Sequence, residues 1–237
     1  MRTAFALLAV GATALGLFGL LRGWGHVNQP KAQRFSVRGV DVSRHQGDIR
    51  WPAVASSGIA FAYIKATEGG DWTDPRFADN WHEAKRAGLL VGSYHFFTFC
   101  RPAIDQAEHF LAIAPRDPDA LPPAIDIEYA GNCHEVPPPD VVRHELVVWL
   151  DAVEAALGKV PVVYVTAEAH KDFLVGSSVK NPLWMRSLIG EPKPPWLLWQ
   201  YDARGTVKGI DGIVDLNVFA GDRAALEMLA HRVMPDR

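Results

Sequence analysis

Two carboxylic acids stand two residues apart in a stretch that otherwise has the character of a buried strand. The segment Ile125-Asp126-Ile127-Glu128 alternates apolar and acidic side chains. Residues two apart on a strand share a face, so Asp126 and Glu128 would point the same way. Burial and mutual repulsion lead one such carboxyl to keep its proton while the other stays ionised. Cleavage of a glycosidic bond needs that division. Asp-x-Glu is a common pattern, however, and a solvated acidic edge strand explains this pair better when the pair is taken alone.

Two further acids stand in the same relation to apolar neighbours. Asp41 lies between two valines, and Asp215 lies between a valine and a leucine. If the local chain is a strand, each acid points away from its apolar neighbours. A solvated surface explains one acidic pair, but four acids on three strands are better explained by convergence on one site.

The elements that must position these acids alternate regularly in the first half of the chain. Apolar runs typical of strands are separated by amphipathic helices, and the last three strands follow with almost no helix between them. Predicted strands are 40–42, 59–66, 89–97, 125–128, 161–166, 183–187, 197–201 and 213–219. Predicted helices are 74–87, 104–114, 140–157, 167–174 and 222–233, with a further short helix that holds Trp51 and is capped by Asp48. The pattern predicts an α/β fold, a β/α barrel without helices in its last part, whose site lies at the carboxyl ends of the strands.

The composition is that of one large globular domain. The chain has 237 residues, of which 49% are hydrophobic and 22% are charged. Five of the 24 Lys and Arg residues, but none of the 27 Asp and Glu residues, lie in residues 1–38. The remainder is therefore more acidic than the net charge of -3 suggests. An acidic domain argues against nucleic acid as a partner, and we expect a monomer.

The first 24 residues have the character of an export signal or a membrane anchor. Arg2 precedes an uncharged run from Thr3 to Leu21, which Arg22 closes. The run is intermediate in length between a signal peptide and a spanning helix, and no small-residue cleavage site follows it, so we expect an uncleaved anchor. Residues 25–37 are predicted to be a linker and residues 38–237 the catalytic domain. The protein is then exported, either held on the periplasmic side of the cytoplasmic membrane or secreted, and contacts the membrane through this segment only.

Short motifs that run in order along residues 38–219 carry a family resemblance. They are Gly39-Val40-Asp41-Val42-Ser43 with Gln46-Gly47, Ile64-Lys65-Ala66-Thr67-Glu68-Gly69, Gly92-x-Tyr94-His95-Phe96, Gln106-Ala107, Asp126-x-Glu128, and Trp199-Gln200-Tyr201 with Asp215-Leu216-Asn217. Together they resemble the family 25 glycoside hydrolases, which are lysozymes of the N-acetylmuramidase type. The resemblance implies an irregular, flattened TIM-like barrel that hydrolyses the β-1,4 bond between N-acetylmuramic acid and N-acetylglucosamine in peptidoglycan glycan strands.

The resemblance also implies a role for each acid. Glu128 corresponds to the general acid, Asp126 to its partner, and Asp41 and Asp215 to the rest of the acidic floor. We expect Asp126 to lie next to Asp41 and Asp215, on neighbouring strands. Two strand ends depart from the family pattern, at residues 165–168 and 184–187. The second reads Trp184-Met185-Arg186-Ser187 where Leu-Trp-Ile-Ala is common. Both departures can alter the substrate groove, but neither removes a catalytic carboxylate.

Aromatic residues near the strand ends are candidates for walls that stack on sugar rings, because amphipathic rings suit the faces of pyranoses. These candidates are Tyr94, Tyr129, Tyr164, Trp199 and Tyr201. Three other tryptophans are expected in the core: Trp51, Trp81 and Trp149.

The histidines and the cysteines bear on two separate predictions, a metal site and a disulfide bond. The nine histidines form no His-Glu-x-x-His motif and no compact cluster in the sequence, so we expect no metal and no cofactor. His95 is expected to be a buried, hydrogen-bonded residue. Cys100 and Cys133 follow the third and fourth predicted strands. In an exported protein an even count favours a disulfide bond, here between two loops at the rim of the barrel.

Two other functions fit part of the pattern. A chitinase-like hydrolase on a related barrel also has Asp-x-Glu at a fourth strand, but the longer acidic run typical of those enzymes is absent from this sequence. A wall-binding module that has lost catalysis would not need all four acids. Muramidase activity is the function that the whole pattern favours.

Overall fold

The computed structural model describes residues 28–31, 33–193 and 195–231, so the predicted signal or anchor segment lies outside the described residues. The strands of the described chain are β1 (Arg38–Val42), β2 (Ile59–Glu68), β3 (Trp72–Thr73), β4 (Leu90–Phe96), β5 (Ala124–Ile127), β6 (Val162–Thr166), β7 (Leu183–Arg186), β8 (Leu198–Gly205) and β9 (Val214–Phe219). Among the described helices, none combines the length and the apolar character needed to cross a membrane.

Eight of these strands close into a barrel. Around the ring the order is β1, β9, β8, β7, β6, β5, β4 and β2, and β2 pairs back onto β1. Neighbouring strands are parallel except at β9, which runs antiparallel to both β8 and β1. The short β3 extends the end of β2. The predicted TIM-like barrel is confirmed, and the reversed strand β9 is one source of its irregularity.

Helices accompany the first part of the barrel and are missing between its last strands. They are α1 (Trp51–Ser56), α2 (Phe77–Arg86), α3 (Ala103–Ile113), α4 (Pro139–Leu157), α5 (Ala167–Ala169), which continues as a π-helix (His170–Leu174), and α6 (Arg223–His231). The described residues between β7 and β9 form no helix, as predicted. The long α4 begins with Pro139, whose fixed φ suits a first turn, and ends at Gly158 with a φ of 66°.

Large aromatic side chains fill the interior of the barrel. Phe61, Tyr63 and Trp184 are buried there in one apolar cluster. A Cβ atom on Gly92 would lie 2.4 Å from the ring of Tyr63, and one on Gly39 would lie 2.3 Å from the ring of Phe61. These two strand glycines therefore leave the space that the rings occupy.

The base of the barrel is closed by α6 and by one buried lysine. Leu226 and Ala230 of α6 belong to the interior apolar cluster. The ammonium group of Lys159 donates hydrogen bonds to the carbonyls of Pro118, Ala120 and Ala230. Lys159 thus joins the loop before β5, the turn before β6 and the final helix, and the open end of the barrel is the opposite one.

The outer shell of the barrel contains the three tryptophans predicted for the core. Trp51, Trp81 and Trp149 are all buried in the apolar cluster between strands and helices. The predicted cap of α1 is wrong, because no side chain caps that helix. Asp48 instead lies 2.6 Å from the guanidinium group of Arg76, an exposed ion pair.

The described residues from 28 to 37, which we call the N-terminal strap, lie along the barrel. The side-chain amide of Asn28 donates hydrogen bonds of 2.9 Å to the carbonyls of Ser187 and Tyr201. Phe35 is 6% exposed and Val37 is 3% exposed. This part of the predicted linker is therefore packed on the domain, because its apolar side chains complete the two cores.

Candidate active site

The four acids predicted from the sequence meet in one cavity at the mouth of the barrel. Asp126 lies on β5 and Glu128 directly follows that strand, while Asp41 is the penultimate residue of β1. Asp215 is near the start of β9, and the reversal of β9 brings that start to the same end of the barrel. The cavity has a volume of about 220 Å³. Pockets that enclose a drug-sized ligand hold roughly 300–1,000 Å³, so this cavity can surround only part of a glycan.

The acids approach one another across the barrel and along one strand pair. Asp41 and Asp215 are paired residues of β1 and β9. Strand β5, which carries Asp126, lies on the far side of the ring, with at least two strands between it and β1 in either direction. The sequence-based prediction that Asp126 sits on a strand neighbouring Asp41 and Asp215 is therefore wrong. These acids share a site because a small closed barrel brings opposite strands face to face.

Asp41 is held by a chain of oriented amides. Its Oδ2 accepts hydrogen bonds from Asn217 Nδ2 at 2.7 Å and from Gln200 Nε2 at 3.0 Å. Trp184 Nε1 donates to Asn217 Oδ1 at 2.8 Å, and the hydroxyl of Tyr164 donates to Gln200 Oε1 at 3.0 Å. These outer bonds turn both amides so that their N–H groups face Asp41. Burial raises the pKa of Asp41 to about 6, and the two amide donors oppose that rise.

Asp215 faces Asp41 but accepts no such side-chain hydrogen bond from the described residues. Burial raises the pKa of Asp215 to about 8, the negative charge of Asp41 adds to the rise, and Arg186 opposes it. At neutral pH Asp215 therefore holds its proton while Asp41 is largely ionised. The difference in hydrogen bonding divides the two paired acids into one neutral and one charged group.

The pair on β5 differs in depth. Asp126 is 9% exposed, and its buried Oδ1 has no hydrogen-bond partner among the described residues. Burial, with a further contribution from the charge of Glu128, raises the pKa of Asp126 well above its ordinary value. The side chain of Glu128 is 19% exposed. Burial also raises the pKa of Glu128, and the charge of Arg186 opposes that rise.

This arrangement changes one expectation about the β5 pair. The general acid is expected to be protonated beside a charged Asp126, whereas burial acts against that charge. Asp126 lines the cavity, although its Oδ1 is itself buried and has no hydrogen-bond partner among the described residues. A bound molecule that donated an N–H group to this carboxylate would favour its charged form.

Three polar residues of the site were not predicted as site residues. Arg186 ends β7 in the cavity wall, and its Nη1 lies 4.0 Å from Glu128 Oε2. Gln200 and Asn217 orient Asp41, as described above. The sequence contained a signal for these two amides, because each alternates with apolar neighbours on its strand as the acids do.

The aromatic candidates divide into two groups. Tyr94 and Tyr164 line the cavity, and so does Trp184. Trp199 and Tyr201 lie outside it, 3% and 5% exposed, with ring centroids 6.0 Å apart in the outer core. Because they neighbour Gln200 on β8, whose side chain points inward, they point to the other face of the strand.

Tyr129 also lies outside the cavity. Its ring packs against Phe99 and Phe173. Its hydroxyl donates a hydrogen bond of 2.9 Å to Asp172. The residue follows the end of β5, but its side chain joins the loops around the rim to the π-helix and does not reach the acids.

His95 and the cysteines stand as predicted. The ring nitrogens of buried His95 lie 2.8 Å from Thr67 Oγ1 and 3.1 Å from Gln106 Oε1. Burial lowers the pKa of His95 to about 3, so this histidine is neutral. Cys100 and Cys133 form a disulfide bond between the loop after β4 and the loop after β5.

Four carboxyls with raised pKa values at the mouth of a β/α barrel suit the acid catalysis of a glycoside hydrolase. Within the described ranges, no group of three or more His, Cys, Asp or Glu side chains is arranged to hold a metal ion. The chemistry available in the cavity is proton transfer and stabilisation of positive charge.

Comparison with known proteins agrees with this class. Residues 40–210 match the family described as Glycosyl hydrolases family 25. The uncharacterized protein YegX of Escherichia coli K12 is 36% identical over 197 residues, which cover 79% of this chain and 71% of the relative. Lysozyme M1 of Streptomyces globisporus is 34% identical over 223 residues, which cover 84% of this chain and 73% of the relative. The structure of a family 25 glycosyl hydrolase from Bacillus anthracis is 35% identical, with a TM-score of 0.79 over 85% of this chain and 97% of that chain.

The chain therefore belongs to the glycosyl hydrolases of family 25. It is a glycoside hydrolase of the lysozyme type, and its reaction is the hydrolysis of peptidoglycan.

Proposed function

We propose that the enzyme is a 1,4-β-N-acetylmuramidase that leaves N-acetylmuramic acid at the new reducing end. Lysozyme M1 of Streptomyces globisporus, and the N,O-diacetylmuramidase of a Chalaropsis species that is 27% identical over 172 residues, support this substrate. The observation that carries the proposal is the graded burial of two carboxyls at the end of β5, in a cavity that two further carboxyls share. Of the pair, Glu128 is nearer the entering glycan.

Glu128 acts as the general acid in this proposal. Burial raises the pKa of Glu128, which favours the protonated form that a general acid needs. That proton passes to the glycosidic oxygen as the bond from C1 of muramic acid to this oxygen breaks. The same carboxylate then takes a proton from the water that completes hydrolysis.

Asp126 acts as the stabilising partner. Neighbours on one strand face have Cα atoms roughly 6.5–7 Å apart, so Asp126 and Glu128 approach the sugar from the same side. This geometry suits attack at C1 by the substrate's own 2-acetamido oxygen, with Asp126 accepting a hydrogen bond from the acetamido N–H. Asp126 lines the cavity, and its Oδ1 has no hydrogen-bond partner among the described residues, so this carboxylate oxygen is not committed to another bond. Charged Asp41 supports the positive charge that develops at C1.

The test uses two substitutions and one control. We expect Glu128→Gln to abolish turnover of peptidoglycan and Asp126→Asn to reduce it at least about a hundredfold, as loss of a charge-stabilising group does. Glu83→Gln, on the half-exposed side of α2, should leave turnover unchanged. Mass spectrometry of either variant should find no sugar attached to the protein. A glycosyl ester on Asp126 would overturn its assigned role.

Product analysis separates the candidate functions. Reduction of digested peptidoglycan with borohydride should label muramic acid at the new ends. New glucosamine ends would indicate a chitinase-like specificity, and no new ends would indicate a binding module. Either result would contradict the proposal.

We propose further that the enzyme acts outside the cytoplasmic membrane, where peptidoglycan lies, and that residues 3–21 keep it attached there. Sequencing of the amino terminus of the mature protein tests the attachment. An unprocessed terminus in the membrane fraction is expected. Released protein that begins after Leu21 would show cleavage instead.

A further inference from the structure

Arg186 stands in the cavity wall with its donor groups unused. Its side chain is 33% exposed, and its nearest carboxylate oxygen among the described residues, on Glu128, is 4.0 Å away. That separation exceeds hydrogen-bond distance. Its guanidinium group makes no side-chain hydrogen bond within the described part of the chain, although it can donate five.

Other arginines of the protein show what a satisfied guanidinium group does here. The guanidinium group of Arg34 donates hydrogen bonds of 2.7 and 2.9 Å to the two carboxylate oxygens of Glu191. Arg143 donates to the carbonyls of Asp172 and Phe173 at 2.7 and 3.1 Å. Arg186 differs from both, because it lines the cavity that the substrate must enter.

Among the described residues that line this acidic cavity, Arg186 is the one that carries a positive charge. Four carboxyls share the cavity with it. The nearby ammonium group of Lys65 is paired with Glu68 at 2.6 Å and lies over the rings of Trp72 and Phe96. A ligand that carries a carboxylate would be repelled by the ionised acids and would meet Arg186 as its available partner.

The proposed substrate carries such a group, so this step rests on the proposed function. Muramic acid differs from glucosamine by a lactyl group on O3, which ends in a carboxyl. Arg186 lies beside Glu128, and Glu128 acts at the bond being cleaved, so Arg186 is beside a sugar that flanks this bond. A guanidinium group binds a carboxylate through two parallel hydrogen bonds, which makes the contact specific as well as strong.

We infer that Arg186 binds a carboxylate carried by the lactyl substituent of muramic acid and so makes the enzyme prefer muramic acid to glucosamine. The carboxylate is the lactyl group's own in glycan without stem peptide, or the first free one of the stem peptide where the peptide is present. In both cases Arg186 determines specificity and leaves proton transfer to Glu128.

The test measures binding with turnover removed, in the Glu128→Gln background of the full chain. The probes are a muramic acid tetrasaccharide with free lactyl carboxylates, its methyl ester, a peptide-bearing fragment and a chitin tetrasaccharide. Calorimetry should show that adding Arg186→Gln weakens binding of the free carboxylate probe about tenfold or more, the loss expected for a charge-assisted pair. Binding of the ester and of the chitin probe should change by less than about twofold.

Two comparisons make the result specific. Arg186→Lys keeps the positive charge but cannot form the two parallel hydrogen bonds of a guanidinium group. This variant should lose part of the preference for muramic acid over glucosamine. Arg44→Gln removes a nearby exposed charge that lies over Trp72, outside the cavity, and should lose none. If Arg186→Gln lowers the melting temperature, Arg186→Lys is used in its place to compare binding of the free carboxylate and the ester. A loss with the peptide-bearing probe alone assigns the stem carboxylate, and a loss with the free lactyl probe assigns the lactyl group's own.

Equal losses for the carboxylate and the ester, or no loss with any probe, would overturn the role of Arg186. Failure of the proposed function is distinct, because wild-type enzyme would then produce no new muramic acid ends. If the wild-type enzyme does produce these ends but substitution of Arg186 does not change binding of the carboxylate probes, only the inference about Arg186 is contradicted.

Discussion

Asp41 and Asp215 face each other across one strand pair, yet their surroundings differ. Asp41 accepts two amide hydrogen bonds. Asp215 is partly buried, and it accepts no such bond within the described part of the chain. The difference gives the cavity one carboxyl with a pKa of about 6 and one of about 8. Each value leads to its own prediction.

The first prediction concerns the acid limb of the pH–activity profile. If catalysis needs charged Asp41, activity falls as pH drops through about 6. Asn217→Ala removes the donor that most lowers the pKa of Asp41, so the limb should move to higher pH. Gln200→Met should move it in the same direction and by less. The measurement is kcat/KM against pH, and an unmoved limb in both variants would show that the charge of Asp41 is not required.

The second prediction concerns stability and Asp215. Its pKa in the folded state is about 8, above the ordinary 3.8, so the folded protein binds a proton that the unfolded chain releases. The stabilisation is full below about pH 4 and is lost as pH rises through about 8. Asp215→Asn does not titrate, and its melting temperature should exceed that of wild type by a few degrees at pH 8–9.

The advantage of Asp215→Asn should disappear at pH 4, where both side chains are neutral. Asp151→Asn, on the exposed face of α4 outside the cavity, provides a control with the same change of side chain. An advantage that is equal at both pH values would contradict the assignment.

Some of the individual site residues can be predicted from the sequence, and others are missed for identifiable reasons. Alternation with apolar neighbours identified Asp41, Asp126 and Asp215, since strand period places them on the inner face. The same rule, applied to β8, would have selected Gln200 and placed Trp199 and Tyr201 on the outside. Here position near a strand end outweighed strand phase in the prediction, and the structure shows that phase decides.

Among the elements, the rim loops after β4 and β5 are joined by the Cys100–Cys133 bond. The cysteines are 33 residues apart. On loop-closure grounds a bond of this span stabilises the folded protein by about 3–4 kcal/mol. Neither cysteine lines the cavity with the acids, so the bond acts on folding and not on the chemistry.

The third prediction follows from that position. Replacing both cysteines by serine should lower the melting temperature by roughly 5–15 °C and leave kcat on peptidoglycan within about twofold at low temperature. Reduction of the wild-type protein should reproduce the thermal shift. A variant with normal stability and impaired turnover would show that the rim loops serve catalysis directly.

Element order was predictable and strand order was not. The change from alternating elements to consecutive strands indicated where helices are missing, because periodicity is local information. The insertion of reversed β9 between β8 and β1 depends on long-range pairing, which no local pattern contains. The packing of the N-terminal strap was not predictable either, because Phe35 stands among polar residues in the sequence and meets Trp196 and Trp199 only in the folded chain.

The whole molecule has two unlike ends. The mouth is open and lined by acids, and the base is sealed by α6 and the three carbonyl contacts of Lys159. Lys159 is 4% exposed. Its ammonium group holds together segments that are distant in sequence, and it does so far from the cavity.

The fourth prediction separates those two ends. Lys159→Met keeps much of the side-chain volume but leaves three carbonyls without their donor, which should cost about 3–5 kcal/mol of unfolding free energy. Denaturant unfolding gives that value, and kcat at 20 °C should match wild type within about twofold. Lys180→Met, on an exposed loop, should change neither. Loss of turnover in a Lys159→Met protein that remains folded would show that the base is coupled to the site.

The N-terminal strap runs from Asn28, beside the end of β7, to β1, whereas α6 ends at the base of the barrel. A surface or fusion partner joined directly ahead of Asn28 would therefore stand next to the entrance for the glycan, and one joined after α6 would stand behind the enzyme. An enzyme immobilised at Asn28, beside the mouth of the barrel, should digest short soluble oligosaccharides well and intact wall sacculi poorly. An enzyme immobilised after α6, at the base of the barrel, should digest both.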